Sequence, residues 1–437
     1  MNLRVFQSDE GDCLLLTSAD DRHVLCDGGM AASYTDHVAA HLAALRDGGE
    51  ALDVVYVSHI DEDHISGVLE MMDDAVAWRV HDYQKGSGNS KHKEPTVARP
   101  PEVRAIWHNA FHEQVGKNAG PIEDMLAASA AVLSGHELPK VRAVAEAQRN
   151  LATSTLQAVK LTRRVGEGQL NIPVNGPADG QLMLVRDSRK PIKVGALRFH
   201  IIGPFVDDLA NLRKEWNDWL RENKDALERV RDAARRDEDR LAAAEVERVI
   251  GSLLAQARVF GDRGQVTTPN LASLMFYVEE QGTGARVLLT GDGHAKDVLA
   301  GLEHNRTLDA DGGIHVDVLK VQHHGSEYNM TREFARRVTA DHYVFCANGA
   351  HENPDLETIE VLIASRLGGR DARSARPEAE RPFTFWFNSH ASVAGGKAGS
   401  PEHMRKVEAL VSERAKKSRG KMKAQFLKRS SFALDVP

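Results

Sequence analysis

"VYVSHIDEDHISG", residues 55–67, packs His59, Asp61, Asp63 and His64 into six positions directly after an apolar run. Glu62 adds a third acid. The flanks are apolar: Val54, Val55 and Val57 come before, and Ile65, Val68 and Leu69 after. Charges left unpaired in such surroundings are costly, and a bound cation is the usual remedy. Taken alone, HxDxDH also reads as a polar turn satisfied by its own hydrogen bonds, so the other clusters of the chain have to decide.

Two such clusters lie far downstream. Asp292 lies in "VLLTGDGH", and His323 and His324 lie in "VLKVQHHGS". Each follows a short apolar, strand-like run, and side chains placed where strands end converge on one edge of a sheet. Sequence separation therefore says little against a shared site.

The first 110 residues alternate short β-branched runs bounded by Gly and Asp ("LRVFQ", "DCLLLTS", "RHVLCDGG", "LDVVYVSH", "VRAIWHNAF") with helical periods at 36–46 and in "GVLEMMDDA". That alternation predicts an α/β layered domain. Alanine-rich helical segments and the linker "NIPVNGPADG" fill about 113–195 and read as an insertion outside the core. A second polar helical insertion covers about 206–258, where Leu209, Leu212, Trp216 and Trp219 share one face. Strand signals return in "ASLMFYVEE", "ARVLLTGD", "VDVLKVQHH" and "HYVFCANG". The expected organisation is one domain over 1–400, interrupted by the two insertions, and a basic C-terminal extension over 401–437.

Composition sets outer limits. At 437 residues the chain can bury a full core. A net charge of -7 carries no global signature of nucleic-acid binding. The stretch from Arg405 to Arg429 departs from it, with ten basic residues against Glu408 and Glu413, a block that suits a polyanion or a frayed solvated helix. Three scattered cysteines exclude a disulfide framework and a four-cysteine zinc site and point to a reducing cytoplasm. The amino terminus lacks the regions of a signal peptide, and no apolar run reaches membrane-spanning length. The expectation is a cytoplasmic protein with no membrane segment.

"EGDCLLL", "VLCDGG", "SHIDEDHISG", "NLASLMFYV", "VLLTGD", "VLKVQHHGS" and "NGAHENPD" together resemble the metallo-β-lactamase-fold hydrolases, and within them the soluble domain of the ComEC-type competence proteins. The resemblance spans residues 3–120 and 195–390. It implies a four-layer αββα sandwich with two divalent metal ions at the shared edge of two sheets. In the family motif HxHxDH, Asp61 here replaces the second histidine. Oxygen for nitrogen makes that half of the site harder, so Mn²⁺ rivals Zn²⁺. The implied ligand set gives His59 and Asp61 to one metal and Asp63 and His64 to the other, with Asp292 bridging, as a carboxylate with two oxygens can.

A further histidine ligand is expected from "VRAIWHNAFHEQV", where His112 is favoured over His108 because it falls past the strand end. In "HHGS", His324 is assigned to metal and His323 to the substrate, while His351 in "NGAHENPD" falls on the substrate side. Asp27, ending "HVLCD", is expected to accept a hydrogen bond from a ligating histidine and fix its tautomer. Asp63 is a ligand with a hold on the attacking hydroxide. Asp12, Asn270, Ser273 and Ser326 are expected at the floor of the site.

The activity implied is metal-dependent phosphodiester hydrolysis, with DNA as substrate, and by family analogy a role as effector of bacterial anti-phage defence. The alternative is a small-molecule hydrolase acting on a phosphoester, lactone or thioester. A non-enzymatic scaffold is the third class. The insertions suggest a cover over the site or a homodimer contact, with a partner protease or sensor as the release.

Overall fold

The computed structural model describes residues 1–89, 91–109, 157, 160–207, 273–395 and 399–437. Fourteen strands are described: β1 (Asn2–Phe6), β2 (Leu14–Thr17), β3 (His23–Cys26), β4 (Val54–Val57), β5 (Ile106–His108), β6 (Ile192–Val194), β7 (Leu197–Gly203), β8 (Met275–Glu280), β9 (Arg286–Leu289), β10 (Ile314–Lys320), β11 (Val338–Phe345), β12 (Phe383–Phe387), β13 (Met422–Phe426) and β14 (Ser431–Asp435). They form two sheets, ordered β14-β1-β2-β3-β4-β5 and β13-β12-β11-β10-β9-β8-β7-β6. β3, β4 and β5 pair in parallel, as do β9 through β13.

The strands read as nearly continuous apolar runs because both of their faces are covered. In β4, Val54 and Tyr56 join a cluster shared by the two sheets, while Val55 and Val57 face helices α1 (Ala39–Asp47) and α2 (Glu62–Gly86). The outer face of the second sheet packs on α3 (Ala295–His304), α4 (Arg332–Arg337), α5 (Leu356–Leu367) and α6 (Ser400–Lys417) through Leu302, Phe334, Leu362 and Val407. The result is a mixed α/β arrangement of two sheets and flanking helices. At roughly 1.5–3 kcal/mol for each fully buried large aliphatic or Phe side chain, these three clusters hold the strand ends in place.

Two close approaches seat α2 at the end of β4. A Cβ on Gly67 would lie 2.1 Å from Gly28 O, and one on Gly28 would lie 2.3 Å from Val68 N, so only glycine lets the turn after β3 touch the helix.

Two organisational expectations change. The stretch 161–185, read as outside the core, buries Leu161, Val165, Met183 and Val185, and Val174 bridges Ile106. The linker's Asn175 holds both backbone groups of His108. Residues 401–437, read as an extension, supply most of α6 and the outermost strand of each sheet, β13 and β14. The basic residues sit on the solvent face, whereas Met404, Val407, Val411, Met422 and Leu434 are core; a count of charges conceals that alternation. Most of the insertion expected at 113–195, and nearly all of that at 206–258, lies outside the described residues. No described helix is long and apolar enough to cross a membrane.

Candidate metal centre

The motif that opened the sequence spans a strand end and a helix start. β4 stops at Val57, Asp61 occupies the N-cap position of α2 in extended conformation, and its carbonyl accepts from His64 N and Ile65 N. Glu62 and Asp63 fall in the first turn, where the helix dipole favours acids. His59 and Asp61 thus precede the helix while Asp63 and His64 ride on it. Asp27 follows β3, Asp292 follows β9, and His323 and His324 follow β10. The sheets are tied at this edge by Leu274 N donating to Ser58 O at 2.8 Å and by the Tyr56 hydroxyl donating to Leu274 O.

The carboxylates and imidazoles meet. His64 Nε2 lies 3.4 Å from Asp292 Oδ1 and 3.8 Å from Asp63 Oδ2. His324 Nε2 is 3.1 Å from Asp63 Oδ2 and 3.2 Å from Asp292 Oδ2. His59 Nε2 is 3.5 Å from Asp61 Oδ2 and 3.7 Å from Asp292 Oδ2. Asp292 therefore stands between the imidazoles contributed by the two sheets, within 3.7 Å of His323 Nε2 as well.

Hydrogen bonds at Nδ1 orient three of the rings. His64 Nδ1 lies 3.0 Å from Asp27 Oδ2, which also accepts from Ser58 Oγ, while Asp27 Oδ1 accepts from Ser58 N. A carboxylate acceptor holds a proton on Nδ1, so that in the neutral ring the Nε2 lone pair faces the cluster. His324 Nδ1 lies 2.8 Å from Cys346 O, with the same consequence for its Nε2. His323 Nδ1 lies 2.7 Å from Asn329 Oδ1, and Asn329 Nδ2 donates to Asp292 O.

Beneath them lies a group that the sequence reading did not single out. Lys320, fully buried, is ion-paired with Asp12, donates to Gly291 O at 2.9 Å and stands 3.6 Å from Asp292 Oδ1. Asp12 in turn approaches Nδ1 of His324 at 3.5 Å and of His64 at 3.9 Å. Burial opposes the charge on Lys320, but Asp12 and Asp292 outweigh it and hold the ammonium above its usual range. Burial would likewise raise Asp292, yet His324, His64 and His323 hold it well below the usual carboxylate range. His64 and His324 are lowered by burial and raised further by the surrounding carboxylates, to a net position well above an ordinary histidine.

The donor set fits divalent cations. His59 Nε2 and Asp292 Oδ1 are buried with no hydrogen-bond partner, an arrangement that buried polar atoms avoid unless something else satisfies them. His59, His64 and Asp292 place ligand atoms within 4.8 Å of one another, and so do Asp12, His64 and His324. Nitrogen and carboxylate oxygen are ligands that Zn²⁺ and Mn²⁺ both accept.

Residues 9–123 match the family model of the metallo-beta-lactamase superfamily. A match to this superfamily supports a metal-dependent hydrolase in general, and its members typically bind divalent metals. The matched stretch takes in His59, Asp61, Asp63 and His64; Asp292, His323 and His324 lie beyond it and are joined to them by the geometry above. A search of curated proteins returned no match.

The remaining candidates are scattered. His351 sits in an exposed turn, Ala350–Glu352, after β11. That turn leads to Pro354, which lies against Gly325 of the His323–His324 loop. His108 is buried in β5. His112 and Asn270 lie outside the described residues. Ser273 Oγ accepts from Asp292 N at 3.3 Å, and Ser326 is buried beside His324. Among the groups missed, Lys320 gave no local signal beyond being a charge at a strand end, and Asn329 none at all.

Proposed function

We propose that the protein is a metal-dependent phosphodiesterase that cleaves DNA. The observation that carries the reading is the meeting of Asp63, His64, Asp292 and His324, from two sheets, with imidazole lone pairs turned inward by Asp27 and Cys346 O. Three apolar clusters, one between the sheets and one outside each, support the four-layer αββα sandwich of the metallo-β-lactamase fold.

In this reading His59 and Asp61 would hold one divalent cation and Asp63 and His64 the other, with Asp292 and His324 completing the set. Such a pair, when bound, supplies hydroxide near neutral pH and stabilises charge on a phosphoryl oxygen. The chain's own residues do the rest. Asp63, carried on the first turn of α2, orients the attacking water. Asp27 and Cys346 O keep the protons of His64 and His324 on Nδ1. His323, held through Nδ1 by Asn329 and only partly covered, turns Nε2 toward the space above Asp292, the place for contact with the phosphoryl group. His351, exposed on the adjoining turn, would serve the leaving side.

The test incubates full-length protein, loaded with Mn²⁺ or Zn²⁺, with single- and double-stranded DNA beside an Asp63→Ala, His64→Ala variant and a His323→Ala variant. Cleavage by wild type, none by the double variant, and strongly reduced cleavage with retained metal in His323→Ala are expected. Intact DNA throughout, or equal cutting by the double variant, refutes the reading; hydrolysis confined to small esters moves the protein to the small-molecule class.

A further inference from the structure

The basic block at the carboxyl end is split by the fold into two groups at opposite edges of the second sheet. α6 starts at the edge that carries the metal centre: His403 Nε2 lies 3.0 Å from Pro354 O, a Cβ on Gly349 would lie 2.2 Å from Ser400 O, and Pro354 lies against Gly325, the residue after His324. The helix then runs away from that edge. Arg414, Lys416, Lys417 and Arg419 lie at the far end, where Arg414 pairs with Glu360, Lys417 with Glu413 and, at the start of β13, Lys421 with Glu380.

β13 returns in parallel with β12, so the β13–β14 connection, residues 427–430, arrives back at the metal-centre edge. Its contacts fix the position. Leu427 N donates to Phe387 O, and Gln7 N donates to Ser430 O. Ser8, next to Gln7, accepts from Asn388 Nδ2 and donates to Gly11 O. Gly11 touches the Asp63 backbone so closely that a Cβ there would lie 1.7 Å from Asp63 O. Lys428 and Arg429 are therefore linked to a metal-site carboxylate through one short chain of contacts.

Lys428 and Arg429, together with Arg405 and Lys406 in the second turn of α6, are all exposed. None has an ion-pair partner among the described residues; at the far end Arg414, Lys417 and Lys421 are paired, while Lys416 and Arg419 likewise have no partner among the described residues. β10, which delivers His323 and His324, and β13 are three strand spacings apart, roughly 14 Å. One strand of B-form DNA advances about 3.4 Å per phosphate, so that interval corresponds to about four phosphates.

We propose that Lys428, Arg429, Arg405 and Lys406 form a phosphate-binding track that holds the backbone of a nucleic acid on one side of the metal centre. The substrate class is thereby a polynucleotide longer than the few nucleotides the centre covers. This rests on the phosphodiesterase reading above for the direction in which the track leads. The track contacts phosphates and carries no base selectivity.

The test uses full-length protein kept metal-free with a chelator, so that binding is read without cleavage, and follows the fluorescence anisotropy of a labelled duplex across a salt series. Lys428→Gln with Arg429→Gln removes two phosphate contacts; the slope of log K against log salt is expected to fall by about 1.8, and affinity at 0.1 M salt by about 60-fold. Arg405→Gln with Lys406→Gln is expected to do the same. Lys416→Gln with Arg419→Gln, at the far edge, is expected to leave both unchanged.

Parent-like binding by both site-edge pairs overturns the proposal, as does an equal loss in the far-edge pair, which would mark a non-local charge effect. Binding to phosphatidylserine vesicles lost in the same site-edge variants, with no loss toward DNA, assigns the cations to a membrane and also overturns it. Hydrolysis of a small phosphodiester, bis(p-nitrophenyl) phosphate, by the metal-loaded variants is measured in parallel. Its absence in every chain, wild type included, counts against the phosphodiesterase reading and leaves the DNA-binding result to decide the track.

Discussion

Replacing Asp27 by Asn tests whether metal affinity depends on the tautomer of His64. The native carboxylate accepts from Ser58 N at 2.7 Å, Ser58 Oγ at 2.7 Å and His64 Nδ1 at 3.0 Å. An amide has one oxygen to offer. With that oxygen kept on Ser58 N, the NH₂ group faces His64 Nδ1, which must then accept; the ring proton moves to Nε2, the nitrogen turned toward Asp292. A protonated nitrogen cannot bind a cation. With the amide flipped, its NH₂ meets the Ser58 N–H, and a buried donor left without an acceptor costs about 1–3 kcal/mol. Either arrangement loses the preset ligand, and loss of such a supporting acceptor lowers metal affinity about 10–100-fold, or roughly 1.4–2.8 kcal/mol. Competition with a chromogenic chelator near neutral pH measures the affinity, and thermal unfolding of the metal-free chain checks that the fold survives. An Asp27→Asn chain that binds Zn²⁺ and Mn²⁺ within twofold of wild type, while His64→Ala still loses the metal, would refute the reasoning.

Two further outcomes follow from buried charge. Lys320→Met leaves Asp12 buried without its cation and is expected to cost about 3–5 kcal/mol in urea unfolding, most of it recovered in the Lys320→Met, Asp12→Asn double variant; a single variant as stable as wild type, or a double variant no better than the single, refutes the assignment of Lys320 as internal counter-charge. Asp74, in α2, is pushed up to about 6 by burial and by Glu70, with the Tyr34 hydroxyl, 3.4 Å away, acting in the opposite direction. A folded value above the unfolded value of about 3.9 means the fold favours the protonated acid, so this contribution is present below about pH 4 and lost as pH rises through about 6. Asp74→Asn should therefore gain on wild type by of order 2 kcal/mol between acid and neutral pH; a constant difference between the two chains across that range would show that Asp74 does not titrate there.

Much of the cluster that the fold brings together was legible in the sequence. His59, Asp61, Asp63 and His64 are neighbours along the chain, and a short apolar strand ending in polar residues is a local pattern that burial of both strand faces imposes. Asp27, Asp292 and the histidine pair follow the same pattern. The contact of Asp27 with a histidine was also readable, because a carboxylate at the end of the adjacent strand can reach a ring on the next one. The sides of the HH pair were less so: both histidines occupy left-handed backbone, and which ring turns inward depends on Cys346 O and Asn329, contributed by other segments.

By itself the sequence determined the α/β character, the strand ends that carry the acid and histidine clusters and the residue types able to hold a cation, since each depends on side chains a few positions apart. Only the tertiary structure decided that Lys320 and Asp12 form a buried pair under the centre, that residues 161–185 enter the core, and that the basic carboxyl end closes both sheets. Those outcomes rest on contacts between residues tens to hundreds of positions apart. Burial and strand pairing select them in space, and no local period encodes them.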